Sequence, residues 1–402
     1  MLEGKTMTKT KTKTFKQFFL LGAIALGACQ TVAPLGGQER EPDTQSQVLI
    51  NTTEVFAVVN TQVNAVDLEH KAAEWGYSLK QKEKLEGLDM FVMTFECPPG
   101  INPHDAVVEL ERLQANSTVS VNHKYSLQLG QSNFSISKAN YADSLIQWPE
   151  AGCPAQVPIG IIDGGVSDDF LEQHKNRITF KSFIKGKPSP AAINHGTAIA
   201  SILVDPNRLS QGEYFIASVV AQDENGEQYS GVYPMLKALN WMVENEVKLV
   251  NVSLAGPKNR TLHKAIQRAS DKGMIVVAAV GNNGKDATPQ YPAAFENVIA
   301  ATAVNVDGEV YPSAVRGEHV DFAAPGVRIH IPDQGGGRLV SGTSIAAPFV
   351  TATIASHAQK EGDFSVVDVT KYLSESSRDL GPNGVDPIYG HGLISAKENC
   401  SF

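Results

Sequence analysis

The strongest constraint in the sequence is a run of small residues around one serine, SGTSIAAP at positions 341–348, followed by an apolar, helix-compatible segment. This run predicts a strand, a turn and then a helix, with Ser344 at the helix N-terminus. Free backbone N–H groups and the helix dipole favour a developing anion there, as a nucleophilic serine requires. Taken alone, the run also fits an ordinary helix cap made by Thr343 or Ser344.

A second segment, VPIGIIDGG at positions 157–165, predicts a buried strand of a parallel sheet, because it is short, apolar and bounded by glycine. The strand ends in Asp163, and open α/β sheets place their ligands at the carboxyl ends of strands. Asp163 is therefore a candidate site residue. Its alternative role is that of a turn residue before two glycines.

Two further segments carry candidate polar groups. His195 precedes Gly-Thr and a run of small apolar residues, which leaves space around an imidazole acting as a general base. The apolar strand at positions 274–281 leads into Asn282, whose side-chain NH₂ can donate to an oxyanion. Asn282 also fits a loop residue that tolerates a left-handed backbone near a glycine.

Together these four segments resemble the subtilisin-like serine proteases, the subtilases, in which Asp, His and Ser follow one another in that order along the chain. The order here is Asp163, His195 and Ser344. Three more segments are similar to the family's substrate-binding strand, to the strand and turn before its nucleophile, and to its closing segment: NVSLAGP at 251–257, DFAAPG at 321–326 and YGHGL at 389–393.

The resemblance implies a role for each residue. Ser344 attacks the scissile carbonyl, His195 takes the proton and returns it to the leaving amine, and Asp163 orients His195. Asn282 and the Ser344 backbone N–H stabilise the oxyanion. With alternating strands and helices across this region, the expected fold class is α/β, a parallel-sheet, three-layer subtilisin-like domain.

The resemblance also implies two walls and a base for the pocket that takes the side chain before the cleaved bond. These substrate-binding candidates are Ser253, Leu254, Ala255, Gly256, Ala279, Val280, Gly281 and Gln290. The walls are small and apolar, which suits a sizeable apolar side chain. Gln290, near the base, would shorten the pocket or favour a hydrogen-bonding side chain, and its alternative is a loop residue facing solvent.

Two departures from the family pattern concern the site and its surroundings. The family commonly has Ser or Thr after the catalytic Asp, where this chain has Gly164, so the support of Asp163 is expected to differ. The segment 205–215 is short where some relatives build a structural calcium site, so calcium is left open. No cofactor is expected for catalysis, and no Cys/His spacing resembles a metal site.

The N-terminus predicts export. A lysine-rich start and an apolar run ending LGAC predict a signal peptide over residues 1–28, and the run is too short to span a membrane. The motif resembles a bacterial lipobox, which implies lipidation of Cys29. Ordinary signal-peptidase cleavage beside an incidental Cys is the alternative. Residues 29–47 are polar and read as a flexible tether.

Residues 48–127 predict a separate small α+β domain in the order β-α-β-β-α-β, the ferredoxin-like arrangement. A domain in this position resembles the family's propeptide, an intramolecular chaperone and inhibitor, whereas a separate binding module is the alternative. Residues 128–142 are then a linker before the peptidase domain, 143–402. The maturation site is expected within 125–142.

The net charge bears on which partners are expected, and the cysteines bear on a possible disulfide bond. A net charge of −9 argues against nucleic acid. Cys153 and Cys400 bracket the peptidase region and would close its ends together if they paired in an exported protein, whereas two free thiols are the alternative.

These features predict an exported, lipid-anchored serine endopeptidase made as an autoprocessed zymogen, attached to the outer membrane if the host has two membranes and releasable after processing. Its partners are protein or peptide substrates, its own propeptide, and the membrane through its lipid. The rival hypothesis is a catalytically silent, peptide-binding scaffold of the cell envelope, which the complete set of Asp163, His195, Asn282 and Ser344 argues against. A peptide ligase or acyl transferase using the same triad is a third alternative.

Overall fold

The structure is a computed structural model that describes residues 49–50, 52–128, 141–332, 337–357 and 365–397. Several predicted features lie outside the described residues, namely the signal peptide, lipidation at Cys29, the tether, most of the linker and Cys400. In the described part of the chain, no helix combines the length and apolarity needed to cross a membrane.

The N-terminal domain is a four-stranded antiparallel sheet with two helices, in the predicted β-α-β-β-α-β order. Its elements are β1 (Glu54–Val59), α1 (Gln62–Glu74), β2 (Ser78–Leu85), β3 (Met90–Glu96), α2 (Pro103–Leu113) and β4 (Ser117–Val121). The strand order is β2-β3-β1-β4. The ferredoxin-like prediction is therefore confirmed.

The inner strands β1 and β3 are apolar on both faces of this sheet, and each face packs against a different partner. Val55, Ala57 and Val59 of β1 belong to a cluster with the buried residues of α1 and α2. Phe56 and Val58, which alternate with them, belong to the core shared with the following domain. Since side chains alternate across a strand, the continuous apolar run of β1 requires a second covering layer.

The remaining strands and helices of the described chain are the connecting strand β5 and the elements of the following domain. They are β5 (Ser126–Leu127), α3 (Tyr141–Leu145), β6 (Cys153–Pro154), β7 (Ile159–Asp163), α4 (Asp168–Gln173), β8 (Ile178–Ser182), α5 (Pro190–Val204), β9 (Leu209–Gln211), β10 (Tyr214–Ser218), β11 (Ala221–Gln222), β12 (Gln228–Tyr229), α6 (Val232–Glu244), β13 (Leu249–Val252), β14 (Leu254–Ala255), α7 (Arg260–Asp271), β15 (Ile275–Ala279), β16 (Val298–Val304), β17 (Phe322–Pro325), β18 (Ile329–Ile331), β19 (Arg338–Val340), α8 (Thr343–His357) and α9 (Val366–Ser376).

Its core is a seven-stranded sheet in the order β17-β16-β15-β13-β7-β10-β8, and the strand pairs are parallel throughout. Helices α5 and α8 belong to the hydrophobic cluster on one face, and α6 and α7 belong to the cluster on the other. The predicted three-layer α/β fold is thus confirmed. The N-terminal sheet packs on the layer formed by α6 and α7.

Among the regular elements that the sequence did not predict are β8 and α9. Strand β8 lies at the sheet edge, and most of its residues are exposed, so it lacks the apolar run that marks a buried strand. Helix α9 has only two fully buried side chains, Val369 and Leu373. Helix α5 begins at Pro190, five residues before His195, because Ser189 caps its N-terminus by accepting from Ala192 N–H.

Candidate active site

The carboxyl edge of the central sheet brings Asp163 and His195 into contact. Asp163 is the last residue of β7, and His195 lies in the second turn of α5. Their atoms Oδ1 and Nδ1 are 2.6 Å apart, and both side chains are fully buried. A carboxylate at this distance orients the ring and supports an imidazolium. His195 Nε2 is buried without a hydrogen-bond partner among the described residues, as suits a nitrogen held ready for a proton.

Glycines allow α5 to approach β7 closely enough for this contact. A side-chain carbon on Gly164 would lie 2.2 Å from the Ala192 carbonyl oxygen, and one on Gly196 would lie 2.3 Å from the Gly165 carbonyl oxygen. The Gly164 N–H donates to Asp163 Oδ1 over 2.6 Å. The departure at Gly164 therefore reflects a helix packed too tightly against the strand end for any side chain.

Ser344 and Asn282 meet at the N-terminus of α8. Ser344 is the second residue of that helix, and Asn282 follows β15 in the loop after Gly281. The Asn282 side chain is oriented by Thr343, whose N–H and Oγ1 donate to Asn282 Oδ1 over 3.1 and 3.0 Å. With its oxygen occupied in this way, Asn282 directs its Nδ2 donor towards the cleft. In the described chain, the non-glycine residues with positive φ do not include Asn282.

A series of buried hydrogen bonds links the strand that is predicted to bind substrate to helix α8. Asn251 Nδ2 donates to Ser253 Oγ over 2.9 Å, and Ser253 Oγ donates to the Ser344 carbonyl over 3.1 Å. Thr351 lies further along α8, and its Oγ1 donates to Asn251 Oδ1 over 3.2 Å. These fully buried groups fix the strand relative to Ser344.

The cleft is occupied by the segment that follows the N-terminal domain. Strand β5 pairs antiparallel with β14, with Leu127 opposite Leu254 and Ser126 opposite Ala255. On its other side Tyr125 exchanges two backbone hydrogen bonds with Ser230, of 2.9 and 2.8 Å. The chain thus adds an extended strand between two segments of the peptidase domain, a common mode of peptide recognition.

The segment ends with its last described carbonyl at the site. The carbonyl oxygen of Gln128 accepts from Asn282 Nδ2 over 2.7 Å and also from Ser344 Oγ. The Asn282 amide is a fixed donor of the kind that an oxyanion site uses, whereas the Ser344 hydroxyl is the candidate nucleophile lying against the same carbonyl. The second expected donor, the Ser344 backbone N–H, stays a prediction. Sequence reasoning did not single out Gln128, although the alternating segment KYSLQ at 124–128 carried a strand signal.

Two of the expected pocket residues, Leu254 and Ala255, pair with this segment. Ser253, Leu254, Ala255, Ala279 and Val280 are buried. Gln290 is 6% exposed and donates through Nε2 to the Thr288 carbonyl over 2.9 Å, so it does not face solvent. Its Cγ lies 2.9 Å from where a side-chain carbon on Gly281 would stand. Gln290 therefore packs against Gly281, and its role at the base of a substrate pocket stays a prediction.

Cysteines and metal ligands complete the survey of reactive groups. Cys153 is disulfide-bonded, whereas Cys97 is a free, buried thiol whose pKa is raised to about 11 by burial. Pairing of Cys153 with Cys400 stays a prediction, since Cys400 is outside the described residues. Among the described residues, no three His, Cys, Asp or Glu side chains are grouped to hold a metal ion.

The sequence matches Peptidase_S8, the subtilase family, over residues 155–392, which is more than half of the 402-residue chain. The chain therefore belongs to the subtilase family and carries a serine endopeptidase domain. The minor extracellular protease Epr of Bacillus subtilis (strain 168) is 29% identical over 261 residues, covering 62% of this chain but only 39% of its own length. Subtilisin BL of Lederbergia lenta is 28% identical over 251 residues, covering 60% of this chain and 89% of its own length.

Solved structures agree with the fold. Fervidolysin from Fervidobacterium pennivorans, a keratinolytic enzyme related to subtilisin, has a TM-score of 0.67 at 18% identity and covers 86% of this chain and 60% of its own. EpiP, the epidermin leader peptide processing serine protease of Staphylococcus aureus, has a TM-score of 0.60 at 16% identity and covers 86% of this chain and 97% of its own. At these identities the likeness concerns the fold alone.

Proposed function

We propose that this protein is a serine endopeptidase made as a zymogen, which cuts its own chain between Gln128 and Leu129. Asp163, His195 and Ser344 form the catalytic triad, and Asn282 stabilises the oxyanion. The observation that carries the proposal is the Gln128 carbonyl oxygen, which accepts from both Asn282 Nδ2 and Ser344 Oγ. A bound segment aligned in this way is a substrate waiting at the reacting group.

The chemistry follows from the groups in place. Ser344 Oγ attacks the Gln128 carbonyl carbon while His195 takes its proton, and Asp163 stabilises the resulting imidazolium. Asn282 Nδ2 donates to the oxygen as its negative charge develops. His195 then passes the proton to the leaving nitrogen of Leu129, the carbon–nitrogen bond breaks, and water hydrolyses the acyl-enzyme. The N-terminal domain would then end in the carboxylate of Gln128.

The first test compares the full chain with its Ser344→Ala variant by intact mass over time. The wild type is expected to yield a fragment that begins at Leu129, while the variant stays whole, because loss of the nucleophilic serine costs roughly a millionfold in subtilisin. A fluorophosphonate probe should label the wild type and leave the variant unlabelled. If both chains stay whole and the probe labels neither, the protein is not an active serine peptidase.

We further propose that the protein is exported and anchored by a lipid on Cys29. Support comes from the LGAC motif and from relatives such as Epr, which is named an extracellular protease. The anchor lies N-terminal to the Gln128–Leu129 bond, so the cut would leave the lipid on the N-terminal domain and free the peptidase. Fractionation with antibodies against each half tests this order, and mature peptidase that keeps a covalent lipid would contradict it.

A further inference from the structure

We propose that the cleft selects substrates through two hydrogen-bonded side chains, a glutamine directly before the cleaved bond and a tyrosine three residues earlier. This inference rests on the proposed function, because it takes the segment at 125–128 as the bound substrate. It departs from the expectation of a sizeable apolar side chain before the bond, which rested on the small, apolar pocket walls. The substrate class is then an extended protein segment of the form Tyr-x-Leu-Gln.

Both ends of the Gln128 amide are used. Its Oε1 accepts from the backbone N–H of Asn282 over 2.8 Å, and its Nε2 donates to the Ser126 carbonyl over 3.0 Å. The side chain is 6% exposed, so water does not readily replace either bond. Methionine has a similar length but would leave the Asn282 N–H unpaired, and glutamate would place an acceptor against the Ser126 carbonyl.

Asn282 thus binds both the side chain and the backbone carbonyl of Gln128. Asn282 donates its side-chain Nδ2 to the Gln128 carbonyl oxygen over 2.7 Å and its backbone N–H to the Gln128 side chain over 2.8 Å. Recognition of the side chain is therefore coupled to the position of the carbonyl that reacts. A substrate without the amide loses a contact that also helps to align the scissile bond.

Tyr125 occupies a second closed pocket. The side chain is fully buried, and its hydroxyl donates to the Pro257 carbonyl over 2.9 Å. A side-chain carbon on Gly256 would lie 2.7 Å from the tyrosine ring, so the pocket has room for this ring only because that position is glycine. Phenylalanine would fill the space but leave the carbonyl of half-buried Pro257 without this donor.

The two residues between Tyr125 and Gln128 are selected less strongly. Ser126 is exposed and Leu127 is half-buried, and Leu127 packs at the border of the core shared with α6 and α7. The alternating burial of the segment follows from its extended pairing with β14. We therefore expect almost no preference at the serine position and a moderate apolar preference at the leucine position.

The experiment measures kcat/KM of the full chain on fluorogenic tetrapeptides, after its own processing and the release of its N-terminal domain. The reference peptide is Tyr-Ser-Leu-Gln, and single replacements place Phe in its first position, Ala in its second, and Met or Glu in its last. We expect roughly tenfold loss for Phe and about a hundredfold for Met and Glu. The Ala peptide is the matched control, with a change within about twofold.

A variant of the enzyme gives a second measurement. Gly256→Ala should lower the ratio of kcat/KM for the Tyr peptide over an Ala-Ser-Leu-Gln peptide by about tenfold, because the new methyl group meets the tyrosine ring. Because the ratio compares two peptides on one enzyme, a general loss of folded protein cancels.

The outcomes separate this inference from the proposed function. Equal rates for Gln, Met and Glu peptides, with normal labelling of Ser344 by a fluorophosphonate, would overturn the selectivity and leave the peptidase intact. If the probe does not label Ser344 and neither these peptides nor casein is cut, both proposals fail. Cleavage that prefers Gln and Tyr, with normal labelling, supports both.

Discussion

At the scale of single residues, the site depends on groups that hold other groups in place. Thr343 illustrates this, because it touches no substrate atom in the described structure but fixes Asn282 through two hydrogen bonds. Its Oγ1 also accepts from the Gly281 N–H over 3.2 Å. Thr343 is therefore a positioning residue for Asn282, the proposed oxyanion donor.

Replacing Thr343 by valine should lower kcat about tenfold and leave KM nearly unchanged, because the donor it orients matters most when charge develops on the oxygen. Steady-state kinetics on a peptide substrate measures the two constants. Thr353→Val is a matched control on the same helix, since Thr353 Oγ1 donates to the Phe349 carbonyl over 2.9 Å. An equal effect of both variants, or a change confined to KM, would contradict the positioning role.

Gly164 tests how tightly Asp163 and His195 are held. Gly164→Ser restores the residue type common in the family, yet its side chain would meet the Ala192 carbonyl and push α5 away from β7. Because small displacements at a reacting centre cost up to roughly a hundredfold, we expect kcat/KM to fall by at least about tenfold. Circular dichroism should still report a folded protein. Full activity would mean that the close approach is not required.

At the scale of elements, the N-terminal sheet depends on the domain that it covers. Val58 faces the core shared with α6 and α7 and is 3% exposed, whereas Val63 on α1 is 76% exposed. Val58→Asp would place a carboxylate in that apolar interface, at a cost of several kcal/mol. We expect little mature peptidase from this variant by blot. Val63→Asp is the control and should mature normally, and equal yields from the two would contradict the interface.

The elements also indicate what the sequence could predict. The buried strands β7 and β15 were predicted because continuous apolar runs mark strands covered on both faces. Strand β8 was not, since its exposed edge position leaves no such run. The continuous apolar run of β1, EVFAVV, fits a strand covered on both faces, but the covering of the N-terminal sheet by the second domain was not predicted, because no local pattern names the covering partner.

The residues of the candidate site likewise fall into those that a local motif predicts and those that only the fold brings to the site. Asp163, His195, Asn282 and Ser344 each stand in a local motif that the family resemblance identifies. Gln128, Tyr125 and Ser230 acquire their roles only through strand pairing across more than a hundred residues of sequence. Such pairing depends on tertiary packing rather than on a local pattern. The sequence therefore limits the proposed cleavage site to residues 125–142 but does not identify the bond.

At the scale of the whole molecule, the contact between the two domains is expected to weaken in acid. His123 of the N-terminal domain is buried, and its Nδ1 lies 3.1 Å from Asn259 Nδ2 at the start of α7. Burial, helped by the nearby charge of His104, lowers the pKa of His123 to about 4. Between about pH 4 and pH 6.5, His123 therefore stays neutral in the docked domain. In the released domain, where its pKa returns to the ordinary value of about 6.5, the same side chain takes up a proton.

The sign of the effect follows from that difference. As pH falls from about 6.5 towards 4, the released state binds more protons than the docked state, so docking weakens by up to roughly tenfold per pH unit. Release of the cleaved N-terminal domain, followed by gel filtration at pH 7.5 and at pH 5, should be faster at the lower pH. His123→Gln should remove most of this dependence, and an unchanged dependence would assign it to other groups.

The strand in the cleft has a consequence for the timing of activity in a population of molecules. Under the proposed function, hydrolysis at Gln128 would break none of the contacts of Tyr125, Leu127 or the N-terminal sheet, so each molecule's first product would stay where its first substrate lay. A population would therefore begin silent, although every molecule would already have been cut. The first molecule to lose its covering domain can degrade those of its neighbours. Activity should then rise after a lag that shortens as the concentration of protein increases.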